Sequence, residues 1–556
     1  MPCRRRVPAT KLLRVVALAL VVVAVAQASG RADDQKEEEL RKENEQLRKK
    51  NEELEKRLKE GSTAPSGTAP ATSTTPGAAE TAPTTSMTPG SKTVSSEIFP
   101  VRLFRTLLED LSSDAYSPPE PNAPPPRRRR KEPAPFDSPP YPVGEWQMNG
   151  TITIGDANVG TPYPSVIMDT LYNGPNGDWW KENRFALYGW LDVGGNISNE
   201  RDSNAPTGYI IRPNKVEIDQ VTAYLERRPD ANQTESIDWG FRVTALYGLD
   251  ERFTISKGIW DEQLHKYHPQ ASSQLPTGQL WGFDIPMCYV DLYIPWVADG
   301  MNIRIGRFIS IPDIEAQLAP DNLMYTHSLL YTYDIYTQMG GVATIKLDDM
   351  WAFQLGLVSG NDVALWEHRR FKAPNSGPTN QFRVVNNGIQ PSAIAMVQWI
   401  GPQWALGRDS VYVGVNGIND GRYGYNNIQE LPIGTWTHKF NEYVAMYTEA
   451  WYMYERNNPI LGAYTWETAA VNYLIFRVGP NTLFTIRNEY FQDAKGARTG
   501  VKTQYSEHTF GFTHWFNKLL TFRPEFGYWH SYNERAFDNG RKADQFLVAA
   551  DMIIHY

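Results

Sequence analysis

The chain has 556 residues, room for several ordinary domains or for one large barrel, so length alone decides little. Its formal charge of -8 argues against nucleic acid as a partner, because phosphate binding needs a basic face. Two cysteines, Cys3 and Cys288, are too few for a disulfide framework or a cysteine-rich metal site.

Arg4, Arg5, Arg6, Lys11 and Arg14 form a basic n-region, Val15 to Ala26 an unbroken apolar run, and Ala26-Gln27-Ala28 a small-x-small cleavage site. This is the layout of a secretory signal peptide over residues 1–28. The competing reading, a membrane anchor, needs about 20 apolar residues. Residues 33–60 are almost wholly Glu, Lys, Arg, Gln, Asn and Leu, with Leu40, Leu47 and Leu54 recurring every seventh position. With these at heptad position d, Asn44, Asn51 and Leu58 take position a, and the spacing predicts a short parallel coiled coil and hence a homo-oligomer. A single charged helix or a disordered run is the alternative. Residues 61–95 are a Thr/Pro/Ala linker too poor in large apolar groups to fold. In 96–112, Ile98, Val101, Leu103, Phe104, Leu107, Leu108 and Leu111 share one face of a short amphipathic helix. Residues 113–144 form a proline-rich linker carrying Arg127, Arg128, Arg129, Arg130 and Lys131. Those cations either meet an anionic partner, such as lipid headgroups or an acidic cell-wall polymer, or are a solvated run.

From residue 145 the pattern changes. All 17 tryptophans lie between Trp146 and Trp529. Runs of about 8 to 14 residues alternate with period two between Gly, Asn, Asp and Pro breaks. Val290, Leu292 and Ile294 oppose Tyr289, Asp291 and Tyr293, and Phe522 and Phe526 oppose Arg523 and Glu525. The last run sets Phe546, Val548, Ala550, Met552, Ile554 and Tyr556 against Asp551 and His555. A soluble antiparallel sheet shows the same alternation. Strand length, Tyr and Trp crowding near strand ends and the aromatic-terminated last run favour a transmembrane antiparallel β-barrel over 145–556. Such an all-β barrel would have about 16 strands, the last closing onto a first strand near Trp146.

The ordered segments Leu187 to Gly195, Gly240 to Gly248 with Asp250 to Phe253, Tyr289 to Pro295, Ile303 to Phe308 with Ala319 to Asn322, Arg487 to Phe491 with Asp493 and Gly496 to Gly500, and Arg523 to Glu525 resemble the OmpL-like β-barrel porin family of planctomycete-type bacteria. The resemblance covers about residues 145–556 and rests on the set and its order. It implies a bacterial outer-membrane barrel of largely uncharacterised transport, with outer-membrane lipid as a partner. The coil and linkers, outside the resemblance, would form a periplasmic arm.

A porin works by geometry and field, so its working residues are lumen-facing charges and a constriction. Alternation puts Arg487 and Glu489 on the polar face of one strand, Arg523 and Glu525 on that of a later one, and Asp551 on that of the last. They read as pore-lining charges or as salt bridges bracing the wall, and both can hold. The segment after Phe308 is long for a barrel connection and carries Asp313, Glu315, Asp321 and His327. It reads as a constriction loop folded inward or as an ordinary surface loop. His265 and His268 are read as solvated rather than as metal ligands, and no metal or cofactor is expected. No Gly-x-Ser-x-Gly elbow, phosphate loop or His-Glu-x-x-His occurs, so an enzyme is not expected. Residues 145–556 hold 44 acids and 32 bases. The expected function is passive diffusion of small hydrophilic solutes with weak cation preference. The alternative is a structural outer-membrane anchor that tethers the envelope through its coiled-coil arm.

Overall fold

A computed structural model describes residues 98–112, 165–231, 233–260, 263, 281–310, 313–348, 350–366, 369–372, 383–386, 392–401, 408–418, 428–441, 443–455, 464–479 and 481–556. The signal peptide, the Leu40–Leu58 seam, the Arg127–Lys131 run and the pair His265 and His268 lie outside the described residues.

Sixteen strands close into one antiparallel barrel. They are β1 Phe185–Ser198, β2 Val216–Arg227, β3 Asp238–Gly248, β4 Gly282–Ile294, β5 Met301–Ile309, β6 Thr337–Lys346, β7 Trp351–Asn361 and β8 Ser392–Ile400. The second half comprises β9 Arg408–Ile418, β10 Ile428–Lys439, β11 Val444–Glu455, β12 Thr465–Gly479, β13 Thr482–Asp493, β14 Thr503–Trp515, β15 Leu520–Ser531 and β16 Asp544–His555. A two-stranded ribbon, Arg369–Lys372 with Arg383–Asn386, stands apart from the barrel sheet. Closure satisfies both edges of every strand, which lipid could not do.

The closing partner of β16 is β1, from Trp190 opposite His555 to Ser198 opposite Leu547. This corrects the expectation of a first strand near Trp146. The segment before β1 is helical: α2 spans Val166–Tyr172 and α3 Gly177–Glu182, after α1 at Phe99–Leu111. Ser165 caps α2 by accepting from the Met168 amide at 3.1 Å. Asn and Gly at 173–177 interrupt any alternation there. The Ser165 hydroxyl also lies 2.9 Å from the Tyr556 carbonyl and 3.2 Å from that of Leu187, across the closing seam.

One end of the barrel carries short turns such as 347–350, 440–443, 480–481 and 516–519, and the other carries long connections such as 310–336. Val290, Ile305, Leu355, Leu357 and Val413 are exposed on the outer face between the ends. Trp239, Trp296, Trp351, Tyr443 and Phe516 are exposed near the short turns, and Trp281, Trp366, Tyr464 and Tyr532 near the long loops. This apolar band between aromatic girdles is the surface that hydrocarbon requires.

α1 packs against α2 at the short-turn end with its polar residues inward. Arg102, Thr106 and Asp110 are buried, while Val101, Phe104, Leu108 and Leu111 are exposed. Lys518 of the β14–β15 turn holds the helix through Asp110 at 2.5 Å and also meets Asp169 at 2.7 Å.

In β16, Phe546, Val548, Ala550, Met552 and Ile554 are the more exposed set, and Gln545, Leu547, Ala549, Asp551, Ile553 and His555 are buried on the inner face. Ala550→Arg therefore places a charge against hydrocarbon and is expected to cost about 2–4 kcal/mol. Reversible urea unfolding in lipid vesicles measures it, and an unchanged midpoint would refute the in–out assignment of this strand.

Candidate functional site

The connection between β5 and β6 is folded into the barrel. Residues 313–320 and 322–336 are buried throughout. A segment of irregular backbone in a confined interior needs a partner for each N–H and C=O, since an orphan costs free energy comparable to a lost hydrogen bond. The charges of the inner wall supply many of them.

On β15, Arg523 donates to the carbonyls of Ala319 at 2.7 Å and Asn322 at 3.0 Å, and its Nε pairs with Asp551 of β16 at 3.0 Å. Two residues on, the Glu525 carboxylate accepts from the amides of Tyr325 and Thr326, each at 3.1 Å. On β13, Arg487 pairs with Glu507 of β14 at 2.6 Å and with Glu315 of the loop at 3.1 Å, and donates to the Thr326 hydroxyl at 2.9 Å. Glu489 accepts from the amides of Leu329, at 2.8 Å, and Leu330, at the start of the short helix α4, Leu329–Thr332. On β11, Glu449 accepts from the Ile314 amide at 2.7 Å.

Within the loop, Glu315 accepts from the Ser328 amide and hydroxyl at 3.1 Å and from the Tyr473 hydroxyl, and faces His327 Nδ1 at 3.2 Å. Burial alone would raise its carboxyl. The His327 bond and the Arg487 charge outweigh that and hold it at about 2. Burial lowers His327 against the pull of Glu315. Across the closing seam, on β2, Tyr325 donates to Asp219 at 2.9 Å and Gln220 donates to the Gln317 carbonyl at 2.8 Å. Gly194 of β1 makes this approach possible: a Cβ there would lie 2.2 Å from the Tyr325 hydroxyl oxygen.

Ile314, Leu318, Leu323, Leu329 and Leu330 belong to one buried apolar cluster that runs round the wall, with Tyr188 and Trp190 of β1, Met396 of β8, Tyr412 of β9, Trp451 of β11 and Phe491 of β13 among its members. The inner face is therefore mixed, and not polar throughout as expected: on β10 and β11, Ile433 and Trp451 stand beside buried Thr435, Thr437 and Glu449.

The five wall residues singled out by alternation, Arg487, Glu489, Arg523, Glu525 and Asp551, all face inward and are all at most 5% exposed. They, Glu315 and His327 belong to the packed interior around the loop. Asp313 stands apart, grouped with Asp334 and Glu449. Asp321 ends a 3-10 turn, Ala319–Asp321. Sequence reasoning missed Glu449, Tyr473, Glu507 and Asp219. Glu449 had a signal: it alternates in phase with Tyr447, Trp451 and Met453, an acid in the middle of an otherwise apolar run. Among the described residues, 23 buried Asp and Glu side chains stand against eight buried Lys and Arg.

Two outcomes are expected. Arg487→Met strips the buried carboxylates of Glu507 and Glu315 of their cation, and should cost about 3–5 kcal/mol in vesicle unfolding. An unchanged stability would remove Arg487 from the clamp. His327 has a folded pKa below its unfolded value of 6.5. Its contribution is therefore present above that value and is lost as pH falls through it toward the folded pKa. The imidazole nitrogen shifts of a protein labelled at histidine should show His327 titrating below 6.5, and a midpoint at or above 6.5 would contradict the buried site.

A family model described as "Putative beta-barrel porin-2, OmpL-like" matches residues 184–556. No curated protein sequence matches the chain. Among solved structures, the chain is similar to an anion-selective porin from Comamonas acidovorans, at 9% identity and TM-score 0.42, covering 67% of this chain and 99% of that one. The outer-membrane channel DcaP of Acinetobacter baumannii gives 10% and 0.39, covering 67% and 97%. Salmonella typhi OmpF, solved with daunomycin, gives 12% and 0.39, covering 67% and 98%.

Proposed function

Because the chain belongs to the OmpL-like β-barrel porin family and is an outer-membrane porin, we propose that it passes small hydrophilic solutes by passive diffusion through a lumen narrowed by the 310–336 loop. The observation that carries this reading is the loop itself, folded inside a closed barrel and held by wall charges on β13 and β15. Its extensive burial favours a small conductance. The excess of buried carboxylates over buried cations favours a weak preference for cations, because charges in a constriction are screened less than those on external loops.

The chain is read as a channel and not an enzyme, working as a homo-oligomer with its N-terminal arm in the periplasm. The coiled-coil seam Leu40, Asn44, Leu47, Asn51, Leu54 and Leu58 would drive assembly, and the Arg127–Lys131 run would meet an anionic surface. The outer apolar band would meet lipid, and so would the exposed face of α1. The C-terminal end of α1 adjoins the girdle: Asn517, next to exposed Phe516, donates to the Leu111 carbonyl at 3.1 Å. A helix with such a face lies in the membrane interface.

Planar-bilayer recording tests the pore. Small, stable steps with a reversal potential of cation sign across a salt gradient are expected. A silent barrel would favour the anchor, and anion preference would mean that arginines control the narrowest point. The helix is tested separately with a fluorophore at Phe104→Cys or Glu109→Cys, in a Cys288→Ser background. Brominated acyl chains should quench the first more strongly, and equal quenching would detach α1 from lipid.

A further inference from the structure

Between the girdles the outer wall is apolar on β4, β5, β7 and β9, where Val290, Ile305, Leu355 and Val413 are exposed. One arc departs from that rule. Thr448 of β11 stands in register with Asn472 of β12, Asn472 with Asn488 of β13, and Asn488 with His508 of β14. The residues on either side of each in sequence are buried inward, so the row points outward. It also crosses the middle of the wall. Asn472 is the eighth of fifteen residues in its strand, Asn488 the seventh of twelve and His508 the sixth of thirteen.

Hydrocarbon offers such groups no partner, and an unbonded polar group there is costly. The row meets only part of its own demand. Asn472 Nδ2 donates to the Thr448 hydroxyl at 2.7 Å, and His508 Nδ1 lies 2.8 Å from Asn488 Oδ1. Among the described residues that contact is the one side-chain bond of either Asn488 or His508, and both are exposed. A neutral ring that donates from Nδ1 keeps Nε2 as an acceptor, and Asn488 keeps the two protons of Nδ2.

Three features say what covers the arc. A donor and an acceptor side by side complement the same pair on another copy, as a two-fold contact requires. Ala450 and Ala470, opposite each other and exposed, flank Thr448 and Asn472 and let another backbone come close. The third is the place of the arm. α1 is fastened by its C-terminal end to the turn at the foot of β14, through Asn517 and Lys518. The 98 residues that precede α1, with the coil expected over 33–60, therefore join the barrel within one helix length, about 20 Å, of that foot.

We propose that the outer face of β11–β14, along the row Thr448, Asn472, Asn488 and His508, is where the barrel meets a second copy of this chain. The free donor and acceptor of each copy bond across the contact and are removed from lipid. The coil gathers the copies, and the row fixes which faces meet. The inference rests on the homo-oligomer reading and deepens it, and it holds whether or not the barrel conducts.

The test uses the full-length chain in dilute lipid vesicles, with a bis-maleimide cross-linker and single cysteines in a Cys3→Ser, Cys288→Ser background. Ala470→Cys and Ser506→Cys, beside the row, should each give a covalent dimer at a yield at least tenfold above that of Leu355→Cys on β7. Adding Asn488→Leu together with His508→Leu should lower the Ser506→Cys yield at least tenfold, with the heat-modifiable gel mobility of the barrel unchanged. If that double variant does not form the barrel, the contrast between Ser506→Cys and Leu355→Cys carries the test. Equal yields at the three sites, or a yield unmoved by the leucines, would overturn the proposed face and leave the coil as the link between copies. A monomer in light scattering would overturn the homo-oligomer reading with it. A cross-link to a different polypeptide in isolated outer membranes would give the face to that partner and overturn the proposal.

Discussion

The interior is organised by one demand: a chain segment placed inside a barrel must have its peptide groups bonded. Arg523, Glu525, Arg487 and Glu489 answer it in two Arg-x-Glu pairs on β13 and β15. Each arginine gives protons to loop carbonyls, and each glutamate takes them from loop amides. Alternation supplies the geometry, since residues i and i+2 of a strand share a face. Asp551 and Glu507, on the neighbouring strands, hold the two arginines and balance their charge. Removing one member leaves a buried charge unmatched, which is far more disruptive than losing a surface ion pair.

The apolar part of the interior follows a different rule. Ile314, Leu318 and Leu329 of the loop share one buried cluster with residues from round the wall, among them Tyr188, Met396, Tyr412, Trp451 and Phe491. Apolar burial is not directional, so these residues supply bulk and exclusion of water, whereas the charged groups supply position. Gly194 shows how closely loop and wall are matched, because even a methyl group there would overlap Tyr325.

The barrel was legible from period-two alternation because that pattern is local: it needs only neighbours in sequence. The sixteen strands, their faces and the inward direction of Arg487, Glu489, Arg523, Glu525 and Asp551 all belong to it. The loop was legible as long and acidic, through Asp313, Glu315 and His327, but its destination was not. Nothing adjacent to Ile314 in sequence announces Glu449, and nothing near Thr326 announces Arg487. The closing partner of β16 was misplaced for a related reason. Ser165 and the Asn/Gly-rich stretch after α2 could have marked the start of the barrel, but aromatic content near Trp146 was the stronger cue. The apolar share of the inner wall was hidden because an inward apolar residue reads in sequence like an outward one.

The loop's bonds have a consequence for the order of assembly. Ile314 waits for Glu449, 135 residues later, and Ala319 for Arg523, 204 residues later. Contacts that distant in sequence are slow, because the entropy of closing the intervening chain precedes any reward. Every acidic or basic clamp from β11 to β15 follows the loop in the chain. Tyr325 and Gln317 find Asp219 and Gln220, which precede them, but Ile314 and Thr326 must wait for Glu449 and Glu525. The last half of the chain acts as the timer for the first.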